Sequence, residues 1–547
     1  MPKGYLSIVL HAHLPYVRHP EHDNFLEELW FYEAMAETYI PLLKILSHLE
    51  DDGVGYKLLL SLSPTLTAMM EDSLLQDRFL HHIEKTIRLA DAERERNSNS
   101  PELLKLANYY ADYYRDILFW FEKKCGKRIA KAFAALSDLG NLDLMTCGAT
   151  HGFLPTLSQN IGAVRAQLVT AGDYHKQVFG KKPEGIWLPE CAYYPGLESL
   201  VAEAGFAYTF LDSHGIENAS HAPIRGVYAP ICSSEGVAFF GRDEETSYQV
   251  WSAEQGYPGH PDYREFYRDL GFELPEDALA EFIIDNRIRV NTGLKYNRIT
   301  SRQGGEKALY NPDAAREQAA RHAEHFLENR MRQAERLAEA IRSRPPLIVA
   351  PYDAELYGHW WFEGPQFLDY VFRKMHYDQD VVKCMTPAEY LEMFPENQFA
   401  LPAGSSWGGD GTYEFWVNET NQDIIPALHQ AADRMTEIID AGDAVSAGED
   451  FAEPERYRTA KQMMRELMLA QASDWPFIMR TGTSPDYAKK RVRDHLARFW
   501  TLEKMLRTDS IDAKVLNAIS QADNLFENCD PSLYASDRKY TVRGAKS

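Results

Sequence analysis

Two carboxylates in this sequence stand where acid–base chemistry has the right surroundings. Glu190 closes the run Gly185-Ile-Trp-Leu-Pro-Glu190, just past a short apolar stretch and beside Trp187 and Pro189. A carboxylate so placed is poorly solvated and firmly held; the plain alternative is a salt-bridged loop glutamate. Asp353 follows the apolar run Leu347–Ala350 and leads into Ala-Glu355-Leu-Tyr-Gly-His359-Trp360-Trp361. Two acids, a histidine and two tryptophans so close together are hard to explain as core, and the alternative is a hydrogen-bonded polar loop. Carboxylates from two strands, flanked by tryptophans, suit glycoside chemistry. One attacks the anomeric carbon, the other protonates the leaving oxygen, and aromatic faces stack on sugar C–H groups. A retaining pair would face across a cleft at roughly 5–6 Å.

Other polar residues gather near the same positions. His11-Ala-His13 puts two imidazoles on one face of a strand, within reach of one ion or of sugar hydroxyls. With His151, Asp212 or His214 they could bind zinc, so spacing leaves both readings open. Trp251, Trp407 and Trp416 sit among glycines and polar residues, which favours exposed platforms over core. Asp474-Trp475-Pro476-Phe477 reads as the end of a helix, with a buried helix terminus as the competing account. No P-loop, Rossmann fingerprint or GxSxG motif is present.

Short apolar runs that read as strands position these residues: Tyr5–His11, Lys57–Leu62, Leu142–Thr146, Gly185–Leu188, Ala207–Leu211, Val237–Phe240, Leu347–Ala350 and Val381–Met385. Helical patterns lie between many of them, at Asn24–Leu49, Ser73–Leu139, Ile161–Val178 and Pro312–Ile341. Alternation of this kind predicts a parallel sheet with helical crossovers. His11, Ser61, His151, Glu190, Asp212 and Asp353 all fall just past strands. An open sheet concentrates its ligand at one switch point, whereas here nearly every strand contributes, so an incomplete barrel of about seven strands is expected. Residues 1–395 are taken as the barrel, with a helical insertion at 73–139. Residues 396–547 are taken as a helical domain, with an acidic loop at Ala441–Glu453.

Composition narrows the partners. Acidic residues exceed basic ones by 81 to 58, for a net charge of −23, which disfavours nucleic acid and anionic membranes. No stretch reaches the ~20 apolar residues of a membrane span. The six cysteines are scattered without CxxC spacing, which fits free thiols in a reducing cytoplasm.

Taken together, these segments resemble glycoside hydrolase family 57 across nearly the whole chain. His11-Ala-His-Leu-Pro15 resembles its first motif and Gly148-Ala-Thr-His151-Gly152 its second. Trp187-Leu-Pro-Glu190 is similar to the nucleophile motif, Pro351 to Trp361 to the acid/base motif, and Ala472-Ser-Asp474-Trp475-Pro-Phe477 to the fifth. Within the family, the contexts of Trp251, Trp407 and Trp416 resemble the 1,4-α-glucan (glycogen) branching enzymes. The resemblance implies an α/β fold, an incomplete (β/α)7 barrel with a C-terminal α-helical domain, and retaining chemistry without metal or cofactor. It makes Glu190 the nucleophile and Asp353 the general acid/base. His11, His13 and His151 would surround the reacting sugar, and Trp251, Trp407, Trp416, Asp474 and Trp475 would line the glucan groove. Trp187, His359 and Trp360 are expected to add substrate contacts. The partner implied is an α-glucan such as amylose or glycogen; the oligomeric state is left open, a monomer being compatible with it.

One departure bears on outcome. Strongly branching members carry a longer segment between the nucleophile and the Trp251 motif, including a mobile loop tyrosine. Here Glu190 and Trp251 are only 61 positions apart, and Tyr228 within that segment does not match the loop tyrosine. More hydrolysis and shorter transferred chains are expected. The rivals are an α-amylase or 4-α-glucanotransferase of the same family, a metal-dependent deacetylase built on the histidines and Asp212, and a non-catalytic glucan-binding protein.

Overall fold

The computed structural model describes residues 2–252, 255–284, 288–301, 305–442 and 454–536. The expected acidic loop at Ala441–Glu453 lies, from residue 443 onward, outside the described residues. The strands, in chain order, are β1 (Gly4–Ala12), β2 (Leu58–Leu62), β3 (Leu142–Cys147), β4 (Ile186–Trp187), β5 (Tyr208–Leu211), β6 (Ile231–Cys232), β7 (Ala238–Gly241), β8 (Ile283–Ile284), β9 (Ile288–Arg289), β10 (Leu347–Asp353), β11 (Val382–Cys384) and β12 (Gln398–Phe399).

β10, β1, β2, β3 and β4 pair in that order, all parallel. A single bridge, Gly185 to Tyr208, carries the sheet on to β5, which pairs in parallel with β7. One hydrogen bond, from the Asp243 N–H to the Val349 carbonyl at 2.9 Å, links the end of β7 back to β10. The ring is thus an incomplete (β/α)7 barrel, thin on either side of β5 and β7. Every residue of β1 and of β2 is buried, so these strands read as unbroken apolar runs rather than alternating ones. Gly185 is required at the thin junction, because a Cβ there would lie 2.3 Å from the Tyr208 ring.

Between β2 and β3, over the stretch read as a helical insertion, the chain forms helices Ser73–Arg96, Pro101–Phe119 and Ile129–Ser137. It breaks at Asn97–Ser100, in the polar stretch, and restarts with Pro101 in the first turn, where the absent N–H costs nothing. β7 also pairs, antiparallel, with β6, and β6 in turn with β12, just beyond the expected boundary at residue 395. After it the chain is helical: Ile425–Asp440, Glu455–Ala470, Asp474–Thr481, Pro485–Arg507 and Ala513–Ala522. In Glu455–Ala470 every residue from Thr459 is buried, polar ones included, because neighbours cover both faces. Glu466, His495 and Asp523 meet there with Arg498, an ion cluster that ties this helix to Pro485–Arg507. No helix among the described residues is long and apolar enough to cross a membrane.

Asp474-Trp475-Pro476-Phe477 begins a helix rather than ending one. An acidic residue opens the first turn and Pro476 follows within it, where a proline's missing N–H is tolerated; Gln471–Ser473 makes the break before it. All six cysteines are free thiols.

Candidate active site

The register of the parallel strands lines up the polar residues. His11 on β1 lies opposite Ser61 on β2 and opposite Asp353 on β10, so all three reach the C-terminal rim together. A cavity of about 480 Å³ opens there, lined by His11, His13, His151, Glu190, Arg242, Asp353, Glu355 and Asp474. Trp251, Trp360, Trp407, Phe415, Trp416 and Phe477 form its apolar wall. The cavity therefore combines strand ends from the barrel with the Gly-rich loop around Gly408 and the first turn of helix Asp474–Thr481.

Glu190 occupies a left-handed backbone conformation, φ 63° and ψ 21°, and His151 has φ 57°. Such φ values are uncommon for residues with a Cβ and persist only where neighbours over-determine them. The neighbours here are specific. The Trp407 N–H donates to the Glu190 carbonyl at 3.0 Å, and the Ser473 N–H donates to the His151 carbonyl at 2.8 Å. The same two residues hold the Glu190 carboxylate: Trp407 Nε1 donates to Oε2 at 2.9 Å and Ser473 Oγ to Oε1 at 2.7 Å.

The two acids sit in different electrostatic surroundings. Burial raises the Glu190 carboxyl above its ordinary range, while the donors from Ser473 and Trp407 favour its anion and oppose that rise. Asp353 is pushed up further, by burial first and then by the Glu355 and Glu190 carboxylates. Among the described residues no hydrogen-bond donor reaches its side chain. The carboxyl without donors thus holds its proton more tightly than the one with two, a difference in the sense that glycoside cleavage uses. Glu355 is buried; it accepts from the Tyr39 hydroxyl and, at 3.1 Å, from the His13 N–H, which fixes the end of β1 against β10. Tyr39 reaches it from a π-turn at Met35–Tyr39. That turn packs so tightly on Gly358 that a Cβ there would lie 1.9 Å from the Glu37 carbonyl, at a φ of 128° that also favours glycine.

His13, His151 and Asp474, and separately His11, Cys147 and His151, are near enough to hold an ion. Their ring nitrogens already have protein partners: His13 meets Ser63 at 2.9 Å and Asp474 at 3.1 Å, and His151 meets Ser473 at 2.7 Å and His11 at 3.0 Å. Asp212 takes no part. It caps helix Ser213–Glu217 and pairs with Arg242 at 3.1 Å, while His214 bonds to the Gly411 carbonyl. The zinc set of histidines with Asp212 or His214 is therefore not assembled.

Not every expected residue faces the cavity. Trp187 is fully buried, stacked 4.7 Å beneath His11, and Trp475 is fully buried with its Nε1 on the Leu469 carbonyl. His359 turns away and pairs with Glu37 at 2.9 Å. Trp416 is not an exposed platform. It is 2% exposed and stacked on Phe153 at 4.6 Å, because Gly408 lets the loop fold over it: a Cβ there would lie 2.5 Å from its ring. Trp251 and Trp360 are the exposed indoles, at 37% and 53%. Trp416→Ala is accordingly expected to destabilise the protein by about 3–5 kcal/mol, read by denaturant or thermal unfolding. A stability near that of the parent protein would return Trp416 to the role of a binding platform.

Ser473, Arg242 and Phe477 are site residues that the sequence did not single out. Ser473 and Phe477 were within reach, because both lie in the segment around Asp474. Arg242 had no local signal. No tyrosine of residues 191–250 lines the cavity; Tyr228 is tucked between Asp243 and Gln333. A separate hollow of about 520 Å³ beside helix Ser73–Arg96 also carries acids, but Glu28, Glu281 and Asp77 are paired with Arg78, Arg88 and Lys127.

Comparison with known proteins agrees with this geometry. The model of glycosyl hydrolase family 57 matches residues 7–402, and that of the 1,4-alpha-glucan branching enzyme C-terminal region matches 427–534. A 1,4-alpha-glucan branching enzyme of Thermococcus kodakarensis is 33% identical, with 98% of this chain and 79% of that protein covered. Among solved structures, the α-amylase AmyC of Thermotoga maritima is 40% identical with a TM-score of 0.90, covering 98% of this chain and all of that one. The branching enzyme of Pyrococcus horikoshii is 32% identical with a TM-score of 0.85, covering 99% and 98%. With the family model spanning most of the chain and the rim of the barrel carrying the two acids, the protein belongs to glycosyl hydrolase family 57.

Proposed function

We propose that the protein is a retaining 1,4-α-glucan branching enzyme that also hydrolyses part of its substrate. Glu190 attacks the anomeric carbon of an α-1,4 linkage while Asp353 gives its proton to the departing oxygen. The glucan is then held as an ester on Glu190. Asp353, now ionised, takes the proton of an incoming 6-hydroxyl, whose oxygen displaces Glu190 and forms an α-1,6 branch. Water in place of that hydroxyl gives hydrolysis. Trp251 and Trp360 offer sugar-stacking faces at the mouth, and Trp407 acts chiefly as a donor to Glu190.

The observation that carries this reading is the joint construction of the cleft. The C-terminal region, which matches the branching-enzyme model, delivers Ser473, Asp474 and Phe477 against acids from the barrel. Two observations favour hydrolysis as a second reading: the likeness to AmyC, and the lack of a cavity tyrosine from residues 191–250. Proton NMR of amylose before and after incubation, with a parallel assay of reducing ends, decides between them. New α-1,6 signals together with new reducing ends are expected. Reducing ends alone would leave an α-amylase.

A further inference from the structure

Ser473 precedes helix Asp474–Thr481 at its N-cap position. A serine there ordinarily accepts a hydrogen bond from the first-turn N–H groups, a contact worth about 1 kcal/mol. This one makes no such bond. It is fully buried, and its hydroxyl is turned to Glu190 instead.

What stands behind Ser473 gives that choice meaning. Its Oγ meets His151 Nδ1 at 2.7 Å; His151 Nε2 meets His11 Nε2 at 3.0 Å; His11 Nδ1 meets Ser61 Oγ at 3.2 Å. A hydroxyl has one proton to give. If Ser473 gives it to the Glu190 carboxylate, it must accept from His151, so His151 carries its proton on Nδ1. The Nε2 of that neutral ring is then an acceptor, and His11 must donate from its own Nε2. His11 Nδ1 is left to accept from Ser61. Both rings are buried, and burial holds each well below the ordinary histidine range, so both are neutral as this assignment requires. The four groups come from β2, β1, the loop after β3 and the C-terminal region. With Glu190 ionised, their hydrogen bonds run toward Glu190, and Ser61 gives its proton to His11 rather than to the Thr146 carbonyl 3.4 Å away.

We propose that Ser473, oriented by the chain Ser61–His11–His151, is the positioning residue that aims the Glu190 carboxylate and stabilises its anion. The proposal deepens the glycoside reading above and rests on it. Ser473 keeps its proton throughout. When Glu190 bonds to the anomeric carbon its negative charge is lost, and when the acceptor displaces it the charge returns at an oxygen facing a ready donor. The group therefore acts on the ionisation of the free enzyme and on release of the glucan from the ester. The other titratable groups facing Glu190 are His13 just past β1, Cys147 on β3, Cys191 beside it, Asp353 and Glu355 from β10 and the turn after it, Arg242 just past β7, and Asp474. None of them changes in the variants below.

The test is kinetics on amylose with full-length Ser473→Ala, Ser473→Thr and Ser61→Ala, each checked by thermal unfolding. In Ser473→Ala, kcat is expected to fall roughly 10–100-fold with KM within about twofold, as for loss of a hydrogen bond to a charged group. Without the donor the Glu190 anion is less favoured, so the acidic limb of kcat/KM moves up by about one pH unit. Ser473→Thr, which keeps the hydroxyl, should restore most of the rate. Ser61→Ala, remote from substrate, should move the same limb in the same direction by less. An acidic limb that stays in place in either alanine variant overturns the proposal, since a purely structural role would lower rate or stability without moving it. Difference infrared titration of the Glu190 carboxyl, with Glu190→Gln as the blank, reads the same shift without substrate. Wild-type protein inert on amylose would sink the glucan reading, whereas an unmoved infrared titration would sink the relay alone.

Discussion

Glu190→Gln is expected to lose activity by roughly 10⁴-fold or more, with glucan binding nearly unchanged. The amide has the size of the carboxylate; its one oxygen can still accept from Trp407 while its NH2 donates to the Ser473 hydroxyl oxygen, so the cavity nearly keeps its shape. It has no negative charge with which to attack the anomeric carbon, and no ester can form. The measurements are the initial rate on amylose and the dissociation constant for a maltooligosaccharide by calorimetry. A rate near that of the parent protein would remove Glu190 from the reaction. Equal loss of binding and rate would mean instead that the substitution had disturbed the strained turn, where Glu190 sits at φ 63°.

Asp353→Asn is expected to lose roughly 10²–10⁴-fold on amylose, the usual worth of a positioned general acid. The loss should shrink sharply on an aryl glucoside whose leaving group needs no protonation, because only the first step is relieved. The pH profile gives the sign independently. Asp353 must be protonated for cleavage, and its carboxyl is raised by burial, Glu355 and Glu190, so activity falls as pH rises through that raised value. Glu190 must be ionised, so activity also falls as pH drops through its own value. The alkaline limb should vanish in Asp353→Asn while the acidic limb stays. An alkaline limb preserved in the variant would assign it to another group, and Glu355, buried against Tyr39, is the first to examine.

Much of this was legible in the chain because it is local. Apolar runs followed by His11, Glu190 and Asp353 announce strands that end in chemistry, and every one of the expected strands is present. The motifs around those residues were enough to suggest the family that the comparison then bore out. Apart from the helix that begins rather than ends at Asp474, the errors concerned which way a side chain faces. Trp416 was read from its glycine-rich neighbourhood as exposed, yet those glycines are what allow the loop to close over the ring and bury it against Phe153. Trp187, Trp475 and His359 were grouped with substrate contacts because they adjoin motif residues. Neighbours along a strand or helix face different ways: Trp187 and Trp475 face the interior, and His359, half-buried, turns to Glu37.

The sequence by itself determined which residues are the candidates for the chemistry and which strands deliver them, because side-chain type and apolar period are properties of short segments. Only the tertiary structure decided how the two acids differ. Glu190 has two donors, one from a loop 217 positions away and one from a helix start 283 positions away. Asp353 has, among the described residues, no donor and two carboxylate neighbours. Hydrogen bonds and like-charge repulsion act over a few ångströms in space, whatever the separation along the chain. The register that sets His11 beside Ser61 and Asp353, and the docking of Ser473 under His151, therefore exist only once the barrel rim and the helical region have come together.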